Sequence, residues 1–342
     1  MNKLRKIGGV LFVSVLACLA TGCSQPRQSA PTAPSEPVTL PIRVVCTTNI
    51  VKDLVRQIGG DRVQVTAIMD GPGVDPHVYT PSPQDTNAVT AADVVVYSGL
   101  HLEGQFDQAL ESLKHRGIPV ICLTDSLTSE HPGRLLQSGQ GTADPHVWFD
   151  PDLWASCGYW FAAGMTEYDA AGAEHYAANA AEFATDMQQT KQECTELLHT
   201  IDRQRRVLVT AHDAFEYFAR AFDFEVQGVQ GISTDSEPGL RRINELIDRL
   251  VRNGITAVFT EQSVSDKNIQ ALVAGCQARG HVLVIGGRLF SDTVGAAGTP
   301  EETLRGALLH NVREIVAALR TPPVSQTSAQ DQTSVKDGGD GV

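Results

Sequence analysis

The chain has 342 residues, long enough for one large or two medium domains, and its 42% hydrophobic content excludes an intrinsically disordered protein. A formal net charge of −13 excludes a nucleic-acid partner, because phosphate recognition needs a basic face. The acidic surface serves solubility.

In chain order, the first element predicted is a signal peptide over residues 1–22: a basic "MNKLRK" followed by an apolar "IGGVLFVSVLACLA". The apolar run is shorter than the roughly 20 residues of a membrane helix. Ala20, Thr21 and Gly22 before Cys23 form a lipoprotein-type processing site, with Cys23 the lipidated residue and Cys18 a rival. Residues 23–40 are Pro/Ser/Ala-rich without apolar periodicity, as in a flexible tether holding a domain off a membrane. An exported, membrane-anchored lipoprotein is expected, on the outer face of the cytoplasmic membrane or in the periplasm.

From residue 41 onward, short Val/Ile-rich runs alternate with amphipathic stretches, the pattern of an α/β fold with parallel sheets. Strands are predicted at 42–47, 63–69, 93–99 and 119–124, then at 206–211, 224–229, 256–261 and 281–287. Their apolar continuity implies burial on both faces. The result is two (β/α)4-type lobes, over 41–170 and 205–320. Between them, residues 172–204 contain no proline and, after Gly172, no glycine, while Tyr176, Ala180, Phe183, Met187, Cys194, Leu197, Leu198 and Ile201 keep helical spacing. A single long, rigid backbone helix over 171–204, about 45–50 Å at 1.5 Å per residue, therefore joins the lobes. From Thr321 the tail lacks apolar residues to bury and is expected to be disordered. Cys46, Cys122, Cys157, Cys194 and Cys276 are odd in number without CxxC spacing; they read as small core residues, with one bridged pair left open.

Ligands of open α/β sheets bind beyond the carboxyl ends of the strands. His77 follows the second strand, His212 the fifth, Glu261 ends the seventh, Asp292 follows the eighth, and His146 lies in a loop opening onto a helix. His77 and His146 share an Asp-Pro-His setting, Asp75-Pro76-His77 and Asp144-Pro145-His146, which on its own reads as two stiff turns. Three histidines and a carboxylate directed at one interlobe cleft suit a divalent transition metal, zinc or manganese. Glu261 is either a group behind a ligand or a solvated strand end. Ser233, Thr234, Asp235, Ser236 and Glu237 precede Pro238 and are expected to cap a helix. His101, His115, His131, His175, His199, His281 and His310 read as structural.

"GVDPHVYTPSPQD", "SGLHLEG", "DPHVWFDP", "TAHDAFEYF", "GISTDSEPG", "LFSDTVG" and "LLHNVREIVAAL" together resemble the metal-receptor (TroA-like) family of solute-binding proteins of bacterial ABC importers, from about Val44 to Leu319. The resemblance implies two lobes on one backbone helix and a metal held by His77, His146, His212 and Asp292. It further implies delivery of Zn²⁺ and/or Mn²⁺ to an ABC permease by a monomeric receptor, not an enzyme. His212 at the third position is the variant associated with zinc or mixed zinc/manganese binding. Many zinc-specific relatives carry a His/Asp-rich loop, whereas here "LTSEHPGRLLQSGQGTA" holds only His131, which weakens a zinc-only assignment. Metal affinity is expected to weaken below about pH 6, the region of the reference histidine pKa. Two other readings are a metal-binding adhesin (cell adhesion) and a secreted zinc hydrolase. The latter lacks an HExxH motif, and a fourth protein ligand would close the sphere that hydrolysis needs open.

Overall fold

The computed structural model describes residues 38–137 and 141–320. The signal peptide, nearly all of the tether, Cys18, Cys23 and the tail from Thr321 lie outside the described residues. Among those described, no helix is long and apolar enough to cross a membrane.

The first lobe runs β1 (Ile42–Thr48), α1 (Asn49–Gly59), β2 (Val63–Met69), α2 (Pro83–Ala91), β3 (Val94–Tyr97), α3 (Asp107–His115), β4 (Val120–Cys122) and α4 (Asp125–Glu130). Its four strands form one parallel sheet in the order β2-β1-β3-β4. Then come α5 (Pro151–Tyr168) and α6 (Ala173–Leu198). The second lobe runs β5 (Val207–Thr210), α7 (Glu216–Phe222), β6 (Glu225–Gly228), α8 (Leu240–Asn253), β7 (Ala257–Glu261), α9 (Lys267–Gln277), β8 (Val284–Leu289) and α10 (Leu304–Arg320). Here β5 pairs with β6 and β7 with β8, all parallel, and β5 lies beside β7.

Strand alternation explains the layers. Ile42, Val44 and Cys46 of β1 face the main core, while Val45 faces a smaller cluster under α2 and α3 with Val95, Phe106 and Leu110. In the second lobe Leu208, Ala257 and Phe259 join the main core, and Val209 and Val258 pack outward against Leu246, Leu250 and Leu272. Among the described residues, Cys46, Cys122, Cys157, Cys194 and Cys276 are all free and buried, so none of them is bridged.

Three expectations change. Burial on both faces fails at the rims: β2 is half exposed, and on β8 Val284 and Ile285 are 52% and 46% exposed. The strand predicted at 281–287 starts at Val284 and runs to Leu289. It continues through Gly286 because α10 packs close there: a Cβ on Gly286 would lie 2.6 Å from Ala318 Cβ. The interlobe helix α6 has 26 residues, about 39 Å, and ends at Leu198. Past it, the Thr200 hydroxyl donates to Leu197 O (2.6 Å) and Ile201 N–H to Leu198 O (3.0 Å), tightening the chain out of the α-helix as Ile201 enters the core. Along its length α6 is strapped to both lobes: Asn179 donates to Ile58 O (3.0 Å), and Arg305 of α10 donates to Thr190 (2.7 Å).

Candidate metal centre

Each Asp-Pro-His segment builds the same local device. Asp75 Oδ1 accepts the His77 N–H, and Asp144 Oδ1 accepts the His146 N–H, both at 2.9 Å. An aspartate gripping the amide two residues on makes an Asx turn, and the proline between stiffens it. The two turns present their imidazoles towards each other, with the Nε2 atoms 3.3 Å apart.

The second lobe adds two groups from strand ends. His212 lies two residues past β5, where its carbonyl accepts from the Thr210 hydroxyl (2.8 Å) and its Nε2 stands 3.3 Å from His146 Nε2. Asp292 lies three residues past β8 on a loop that Asn311 of α10 pins, through Phe290 N–H and Phe290 O at 2.8 and 2.7 Å. Ser263 donates to Asp292 Oδ2 at 3.0 Å, and Ser291 lies 3.3 Å from the same oxygen. Oδ1 is thereby turned to the histidines, 3.2 Å from His146 Nε2, 3.5 Å from His212 Nε2 and 4.0 Å from His77 Nε2. This oxygen is buried without a hydrogen-bond partner.

His77, His146, His212 and Asp292 thus form one buried cluster, their candidate ligand atoms all within 4.8 Å of one another. Two further carboxylates lie behind it. Glu261 Oε2 meets His212 Nδ1 at 2.6 Å, and Asp144 Oδ1 meets His146 Nδ1 at 2.7 Å. Both orient Nε2 towards the centre of the cluster. Burial works against charge on His146, yet Asp144 and Asp292 lift its pKa to about 9. Burial likewise opposes His212, which Glu261 and Asp292 nevertheless raise well above the ordinary value. His77 is pushed down to about 3 by burial, Asp292 pulling only partly the other way. Asp292 stays ionised against its burial because His212 and His146 hold it well below the usual carboxylate range.

All four ligand candidates from the sequence come together, and Glu261 stands behind His212 as a fully buried hydrogen-bond partner. Asp144 plays the same part for His146; its signal was the repeated Asp-Pro-His, legible as a turn and not as a grip on the imidazole. Trp148 donates its indole N–H to Ser291 O (3.0 Å), and Asn49 binds Thr293 and Val294; neither carries a mark in the sequence. The predicted caps at 233–237 are a correction. Helix α8 begins at Leu240 with Gly239 as its cap residue and no side-chain capping bond. The Ser233 hydroxyl accepts from the Asp235 N–H (3.3 Å), Glu237 accepts from Asn268 (3.1 Å), and the Thr234 hydroxyl reaches the other lobe, where it donates to Asp75 Oδ2 (2.6 Å).

Fold and site define a class: a two-lobed α/β binding protein whose lobes close on a buried three-histidine, one-aspartate centre. Residues 44–318 match the family described as ZnuA, zinc-uptake complex component A, periplasmic. The chain belongs to this family. It is 41% identical over 280 residues to the manganese-binding lipoprotein MntA of Bacillus subtilis (strain 168), covering 82% of this chain and 90% of that one. It is 38% identical over 283 residues to the zinc-binding protein TroA of Treponema pallidum (strain Nichols), covering 81% and 88%. The solved structure of the periplasmic zinc binding protein TroA from Treponema pallidum superposes with a TM-score of 0.78 at 36% identity, over 82% of this chain and 99% of that one.

Proposed function

We propose that this protein captures a divalent transition metal, Zn²⁺ or Mn²⁺, on His77, His146, His212 and Asp292 and hands it to an ABC-type importer outside the cytoplasm. The observation that carries this is the spacing of the four groups. A tetrahedral ion with bonds of about 2.1 Å needs ligand atoms about 3.3–3.4 Å apart. Four of the six pairs stand at 3.2, 3.3, 3.3 and 3.5 Å, His77 to Asp292 is longer at 4.0 Å, and His77 to His212 lies within 4.8 Å, so His77 has a short way to move onto the ion.

Chemically, Nε2 of each histidine must be the unprotonated nitrogen. Glu261 and Asp144 each hold Nδ1–H of their histidine, which fixes that tautomer and raises the basicity of Nε2. A divalent cation takes the place of the two protons held on His146 and His212, so the net charge of the buried cluster is unchanged when the ion binds. Four protein ligands close a tetrahedron, which suits capture and transfer rather than hydrolysis. Three imidazoles and one carboxylate in this geometry favour zinc by intrinsic affinity. The manganese-binding name of the Bacillus subtilis relative keeps Mn²⁺ as the second cargo.

In this reading residues 1–22 direct export and Cys23 carries the lipid that tethers the receptor at the membrane surface beside its permease. Titration calorimetry of the metal-free chain with Zn²⁺ and Mn²⁺, alone and in competition, tests the proposal. One ion bound per chain is expected, and His146→Ala abolishes it; undiminished binding by that variant would overturn the assignment. Mass spectrometry for an acylated Cys23 tests the anchor.

A further inference from the structure

The two Asp-Pro-His turns share a backbone and differ in what else their carboxylates hold. At Asp144 the carboxylate also grips the imidazole of its own turn, so His146 is set by its own lobe. At Asp75 the second oxygen, Oδ2, instead accepts from the Thr234 hydroxyl at 2.6 Å, a bond 159 positions apart in sequence and across the two lobes. The orientation of His77 therefore depends on a residue of the opposite lobe.

Other ties cross between the lobes beside Asp292 and His146. Trp148 donates to Ser291 O next to Asp292, Asn49 holds Thr293 and Val294 just after it, and Tyr217 donates to Asp144 O (3.1 Å) below His146. Trp148, Asn49 and Tyr217 are all buried, at 1%, 5% and 0% exposure. Thr234 differs: it sits half-buried in the 231–239 segment between exposed Gly231 and Asp235. The ligand it controls is also the most accessible of the four, His77 at 7% against 0%, 0% and 2%. The weakest cover and the most exposed ligand coincide on one side of the site.

We propose that Thr234 is the latch of the metal site: its bond to Asp75 holds His77 in place, and the ion enters and leaves where that bond opens. The inference rests on the metal-binding reading above. Thr234 ligates nothing; it is a positioning residue that acts through Asp75 and the Asx turn on His77. The ties at Asn49, Trp148 and Tyr217 keep Asp292 and His146 set while the latch works, and Glu261 holds His212 from its own lobe.

The test uses the full chain loaded with Zn²⁺, with release into excess chelator followed by stopped flow, and the Co²⁺ form read by its visible absorption. Thr234→Val keeps the shape and removes the donor. It is expected to speed Zn²⁺ release about ten-fold, the low end for a lost hydrogen bond to a charged group, and to alter the Co²⁺ band. Thr234→Ser restores both, and Ser233→Ala, which touches only the loop's own N–H at Asp235, leaves both as in the parent. A parent chain that binds metal while Thr234→Val releases it at the parent rate overturns the latch and leaves the metal site standing; failure of Thr234→Ser to rescue overturns it too. A parent chain that binds neither Zn²⁺ nor Mn²⁺ overturns the metal reading, and the latch with it.

Discussion

Glu261 holds His212 twice: Oε1 accepts the backbone N–H at 2.9 Å and Oε2 meets the imidazole Nδ1 at 2.6 Å. One carboxylate at the end of β7 thus fixes both the backbone position and the ring orientation of a residue just past β5. Glu261→Gln retains a single acceptor and turns an NH₂ towards one of these donors. Metal affinity is expected to fall about 10–100-fold, as for other partners behind metal ligands, with the fold intact. Chelator competition measures the loss, and circular dichroism checks the fold; full affinity in this variant would show that Glu261 does not support His212.

Proton competition at the centre reaches higher pH than the ordinary histidine range suggests. Because Asp144 and Asp292 raise His146 to about 9, a proton must leave that ring on binding at any pH below this value. Affinity should therefore climb as pH rises from 6 to about 9, well past the pH 6 expected from the sequence, with protons released to the buffer. Calorimetry in buffers of different ionisation enthalpy reads both effects. A flat profile between pH 6 and 8 would contradict a histidine centre.

Asp53 of α1 offers a pH test away from the metal. It accepts the Leu304 N–H at the start of α10 (2.8 Å), and burial raises its pKa from 3.8 to about 6. A carboxyl raised on folding binds its proton more tightly in the folded state, so its effect on stability worsens as pH rises from about 4 to 6 and is constant above. At about 1.4 kcal/mol per pH unit, the stability of Asp53→Asn relative to the parent should improve by up to ~3 kcal/mol over that window. Urea titrations at pH 4, 5, 6 and 7 follow the gap; a constant gap would sink the assignment.

Asn49 joins the lobes through one amide. Its Nδ2 donates to Thr293 Oγ1 (2.8 Å) and Val294 O (3.1 Å), and its Oδ1 accepts the Val294 N–H (3.1 Å). Asn49→Ala leaves buried polar groups unpaired at about 1–3 kcal/mol each, so the metal-free protein should lose roughly 2–4 kcal/mol. Thermal denaturation checks this, and a change within ~0.5 kcal/mol would mean the clamp carries no weight.

The four candidate ligands were legible because strand ends mark where an α/β sheet binds: His77, His212 and Asp292 follow strands, and His146 repeats the Asp-Pro-His setting of His77. What supports them was not. Thr234 and its neighbours looked like helix caps, since hydroxyls before Pro238 satisfy a local rule, and nothing in local sequence reveals an acceptor 159 residues away. Apolar continuity likewise located β8 but not its exposure, because a continuous apolar run looks alike at the rim and in the middle of a sheet. The length of α6 was overread for a related reason: the apolar spacing continues to Ile201, which is buried from a turn and not from the helix.

The main hydrophobic cluster runs without interruption from Ile42 and Val44 in the first lobe through Tyr176, Phe183 and Met187 of α6 to Phe215, Phe259 and Leu319 in the second. Two lobes that look separable on a topology diagram should therefore melt together. Heating should give one calorimetric transition, and a fragment ending near residue 170 would expose the oily flank of α1 and α5 that α6 covers. Gene fusions, truncations or circular permutations of this protein must keep both halves on one chain. Its modularity lies in the site's two-sided chemistry and stops at the core.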